Sequence, residues 1–123
     1  MARGLETFLT AMAVGFAGGG PAFADPLLKD FAVCAGRFSA LVEHQWLVDG
    51  PASERSAGTR DGLLALVEAV EGPGMAATVL GWRIEAKVGQ AQLLSRAYFA
   101  QDAVAAERAS DLLQACADLI GQS

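Results

Sequence analysis

From Phe31 to Gln45 the chain repeats side chains at the spacing of one helix face. Phe31, Cys34, Phe38, Leu41, Val42 and Gln45 follow the i, i+3, i+4, i+7 pattern. All but Gln45 are apolar, so the stripe predicts a core-facing helix over Leu27–Val48, with Pro26 suited to its first turn. A buried amide at Gln45 needs hydrogen-bond partners or costs about 1–3 kcal/mol. Trp46 is expected at the edge of the stripe, its indole N–H within reach of a polar group. Arg37 and His44 share one flank, and Glu43 lies well round from both.

The rest of the chain carries the same period. Asp49-Gly50-Pro51-Ala52 predicts a linker, with Gly50 as a left-handed cap and Pro51 unable to continue the hydrogen-bond ladder. Ser53 is then the expected N-cap of a second helix reaching Glu71, with Glu54 in its first turn. Gly58, Thr59 and Gly62 predict a late start or a bend, while Leu63, Leu66, Val67 and Val70 give a clear stripe. Gly72-Pro73-Gly74 is a strong breaker. A third helix is expected over Met75–Ala100, with Val79, Trp82, Ala86, Leu93 and Ala97 on one face, and Arg83 and Gln90 inside that stripe. Glu85, Gln92 and Arg96 share a flank. Asp102 is the expected N-cap of a fourth helix that packs Ala105, Ala109, Leu112, Leu113, Cys116, Leu119 and Ile120.

Strand-like alternation and hairpin signals do not occur, so the fold class predicted is all-α. Four helices with short connections imply an antiparallel, up-down-up-down four-helix bundle. Cys34, near the start of the first helix, and Cys116, near the end of the fourth, then fall at the same pole. A Cys34–Cys116 disulfide is the expectation; two buried free thiols are the alternative.

The N-terminus reads as a secretory signal. Arg3 opens a short positive region, residues 8–16 are apolar, and Ala22-Phe23-Ala24 is a small-x-small cleavage site. Gly18-Gly19-Gly20-Pro21 interrupts the apolar run before it reaches the roughly 20 residues of a membrane span. Residues 1–24 are therefore read as a signal peptide and 25–123 as a single helical domain, exported to the periplasm, with an uncleaved anchor as the alternative. Removing residues 1–24 takes away Glu6 and Arg3, so the net charge stays at −5. An acidic chain without a basic cluster argues against nucleic acid and anionic membrane surfaces.

No complete catalytic set stands out. His44 is the only histidine. Ser39, five residues before it on the same helix, does not face it as a triad requires. Glu43 and Glu85 could form a carboxylate pair only through tertiary packing. A single histidine cannot complete a common zinc set or a di-iron bundle site, and haem would have to use His44 with Met75. No cofactor or metal is expected. The polar and aromatic residues most suited to binding are Arg37, Glu43, His44, Gln45, Trp46, Arg83 and Glu85. A satisfied polar network with solvated flank charges is the competing account of the same residues.

The run Cys34-Ala35-Gly36-Arg37, Ser39-Ala40 and Glu43-His44-Gln45-Trp46, followed by Trp82-Arg83 and Glu85, resembles small exported helical proteins of Gram-negative bacteria that are uncharacterised. The resemblance implies export and says nothing of mechanism. The function expected is a non-enzymatic periplasmic binding or accessory module that presents a helix face to a partner protein, or to a second copy of itself. The alternative is a small-ligand binder or enzyme with an interhelical pocket around His44, Glu43 and Arg83.

Overall fold

The computed structural model describes residues 26–122, all α-helical apart from short connections. Residues 1–24, read above as a signal peptide, lie outside the described residues. Helix α1 spans 26–48, α2 Gly50–Val70, α3 Ala76–Phe99 and α4 Ala103–Leu119. Together they form the antiparallel four-helix bundle that the periodicity implies, tied by one disulfide.

Helix α1 is the centre of the bundle. Its predicted stripe is buried at Phe31, Cys34, Phe38 and Val42, but so are Ala32, Ala35, Gly36 and Ala40 on other sides. Burial around most of the circumference means that α1 is enclosed by its neighbours rather than leaning on one of them. The small side chains make this possible. Ala32, Gly36 and Ala40 recur every fourth residue, and at Gly36 the backbone of α3 comes close enough to exclude a Cβ.

The first connection is shorter than the sequence suggests. Only Asp49 separates α1 from α2, and it is Asp49, not Ser53, that caps α2. Its Oδ1 accepts from the Ala52 N–H at 3.3 Å. Pro51 falls in the first turn, where a missing N–H costs nothing. Gly50 starts the new helix and lacks the positive φ of a left-handed cap. Ser53 is buried within the first turn, its hydroxyl donating to the Gly50 carbonyl. Nor do Gly58 and Gly62 delay or interrupt α2, which is continuous.

The other boundaries follow the sequence. Gly74 takes φ 78° in the turn before α3. Asp102 caps α4, its Oδ1 accepting from the Ala105 N–H at 3.0 Å.

Contacts fix the directions of the helices. Leu63 and Val67, late in α2, share a core with Leu28 and Phe31, early in α1, so these helices are antiparallel. Gln90 Nε2 donates to the Ala109 carbonyl at 3.1 Å, joining α3 to the antiparallel α4. Cys34 and Cys116 are disulfide-bonded with a Cα–Cα distance of 5.5 Å, 82 positions apart in sequence. Each fully buried leucine, Leu28 and Leu63 among them, contributes about 1.5–3 kcal/mol by leaving water.

One gap in this packing matters for the surface. The backbones of α3 and α4 approach within 8 Å, whereas that of α2 comes that close to neither α3 nor α4. Among the described residues, α2 shares its core with α1 and leaves one flank of α3 without a contact from α2. No helix among the described residues is long and apolar enough to cross a membrane.

Candidate functional site

The seven residues singled out from the sequence do not converge on one site; they divide among three places. Arg37 and Glu85 line a cleft of about 480 Å³ between α1, α3 and α4. Glu43 pairs with Lys87 at 2.7 Å on the other side of α3, as the roughly 200° between positions 85 and 87 of a helix requires. His44 lies towards the far end of α1, where its ring meets Tyr98 edge-on at a centroid distance of 5.5 Å. Trp46, expected at a partly buried edge, is mostly exposed.

This division breaks the catalytic combinations considered from sequence. The Ser39 hydroxyl donates to the Ala35 carbonyl at 2.9 Å, a local bond within its own helix. Glu43 faces Lys87 while Glu85 lines the cleft, so the two carboxylates do not pair. Met75 packs against the hydrophobic core, away from the aromatic contact of His44. A groove of about 230 Å³ is lined by Gly36, Ser39, Leu80, Arg83, Ile84 and Lys87, and this lining includes neither His44 nor Glu43. Among the described residues no three His, Cys, Asp or Glu side chains gather as metal ligands would.

Arg83 is placed by packing. Its carbonyl oxygen meets Gly36, and its Nε is buried without a hydrogen-bond partner among the described residues. Gln45 Oε1 is likewise buried without a hydrogen-bond partner among the described residues. Arg37 feels the charges of both Arg108 and Asp30. Desolvation by burial lowers its pKa, the Arg108 charge lowers it further, and Asp30 partly offsets both.

Two features were missed in the sequence. The first is a row of apolar residues on the outside of α3. Leu80, Ile84 and Val88 recur every fourth residue and are 50 %, 52 % and 51 % exposed. Ala91 and Tyr98 continue the same face at intervals of about two turns, both exposed. At the far end Tyr98 stacks edge-on against Phe99 at 5.0 Å, with Phe99 itself exposed. The spacing of 80, 84 and 88 was visible in the sequence, but the inner stripe through Val79 and Ala86 drew the assignment.

The second missed feature is the composition of the cleft. Lys29 and Arg108 join Arg37 there, Trp82 forms part of the wall, and buried Gln90 also lies in the lining. Lys29 Nζ sits 5.8 Å from the Trp82 ring centroid, a cation–π distance.

The class defined by this fold and these surfaces is a disulfide-tied all-α bundle with an unpartnered apolar helix face and a basic cleft. No protein-family model, curated protein or solved structure matches the chain.

Proposed function

We propose that this protein is a non-enzymatic, exported binding module that presents the outer face of α3 to a helical segment of a partner protein in the periplasm. The observation that carries the reading is the row Leu80, Ile84, Val88, about half exposed on a helix that α2 does not cover. Apolar side chains at i, i+4 and i+8 form a ridge of the kind that fits the groove of a second helix. An exposed row of this kind costs solubility unless something uses it.

The rest of the molecule supports the same reading. The Cys34–Cys116 bridge and the close α1–α3 contact at Gly36 make the bundle a stiff support for that face. Preorganisation of this sort lowers the entropic cost of binding. A disulfide is compatible with an oxidising compartment, which is where the N-terminal sequence would direct the chain.

The test is crosslinking in the periplasm followed by affinity capture, comparing the native protein with Ile84→Asp. A specific partner recovered with the native protein and lost with Ile84→Asp supports the proposal. Recovery that is equal for the two contradicts it. Recovery only of the chain itself, with concentration-dependent sedimentation, replaces the partner by a second copy.

A further inference from the structure

The cleft between α1, α3 and α4 combines positive charge and an apolar wall in a volume of about 480 Å³. That volume is in the range of small-molecule sites. We propose that it binds a small monocarboxylate with an apolar tail. The site lies apart from the outer face of α3 and from the His44 region, and does not depend on the partner-binding proposal.

The cations of the cleft are not held in ion pairs. Among the described residues the ion pairs are Arg60–Asp61, Lys87–Glu43 and Arg96–Asp102, so Lys29, Arg37 and Arg108 have no carboxylate within 4.0 Å. Arg37 donates to Cys116 Sγ at 3.5 Å, a weak acceptor that leaves most of the guanidinium fork available. An incoming carboxylate would relieve the desolvation and the Arg108 repulsion that Arg37 experiences. Glu85 lines the same cleft and the Asp30 charge already acts on Arg37, which together disfavour a second negative charge on the ligand.

Trp82, with Val33, Leu93 and Leu112, offers the apolar wall against which a tail packs. Gln90 is 1 % exposed and its Nε2 donates to the Ala109 carbonyl, so it ties α3 to α4 and leaves the cations and the apolar wall to meet the ligand.

Trp82 also reports on the site. In a Trp46→Phe background it is the sole tryptophan, and its fluorescence can be titrated with 3-phenylpropionate. Saturable binding is expected. Affinity should fall about tenfold or more for 3-phenylpropionamide, which lacks the charge. Arg108→Gln, at an exposed position that should keep the fold, is expected to weaken binding by a similar factor, with circular dichroism as the control. Absence of saturation with the acid overturns the proposal. So does equal affinity for the amide, or affinity unchanged in Arg108→Gln.

Discussion

Gly36 of α1 lies directly against the backbone of Arg83 in α3: a Cβ at position 36 would overlap the Arg83 carbonyl oxygen and lie 3.1 Å from Ala86 Cβ. The obstacle is main chain, which cannot rotate away, so α1 and α3 would have to move apart. Gly36→Ala is expected to destabilise the bundle by about 1–3 kcal/mol despite the better helix propensity of alanine. Gly62→Ala in α2, with open space around it, is expected to stabilise by about 0.5–1 kcal/mol. Urea unfolding of the two variants gives the signs. A stable Gly36→Ala protein would mean that the helices are not packed this closely.

Reduction of the Cys34–Cys116 bridge should lower stability by about 4 kcal/mol in the chain-entropy account, because the closed loop takes in most of the described chain. For a domain of this size each kcal/mol shifts the melting midpoint by about 4–8 °C. The comparison is a thermal melt with and without reductant. A midpoint insensitive to reductant, or two free thiols on labelling of the denatured protein, contradicts the bridge.

Arg37→Met is expected to leave the melting temperature unchanged or raise it. The guanidinium is partly desolvated, faces Arg108 and forms no ion pair among the described residues, so replacing it by an apolar chain of similar length removes an unfavourable charge. A drop of several degrees would show that Arg37 is a structural anchor.

Cleavage after Ala24 predicts that protein recovered from the periplasm begins at Asp25, as read by intact-mass spectrometry. A chain that retains Met1 on most molecules would contradict it.

The bundle was legible in the sequence because its signals are local. The apolar stripe through Phe31, Phe38 and Val42, the breaker before Gly74 and the cap at Asp102 each reflect chemistry within a few residues. The Cys34–Cys116 pair followed from two cysteines in a chain read as exported, and the four-helix topology placed both at one pole. The first junction was misread because Gly50-Pro51 suits both the end of one helix and the start of the next, and only the Asp49 cap decides between them. The enclosure of α1 was not seen, since alanines and glycines such as Ala32, Gly36 and Ala40 carry little periodic signal. The candidate site was the least legible. Lys29, Arg37, Trp82, Gln90 and Arg108 come from three helices, and their meeting depends on rotations that one-dimensional spacing does not set.

The central claim is that the outer face of α3 meets a partner, and a scan along α3 with a photo-crosslinking amino acid in the periplasm tests it most directly. One substituted position at a time, adducts to a single protein are predicted at Leu80, Ile84 and Val88. None is predicted at Glu85 or Gly89, which face the cleft, or at exposed Glu68 on α2. Equal labelling at all positions, or none at Leu80, Ile84 and Val88, would contradict the account.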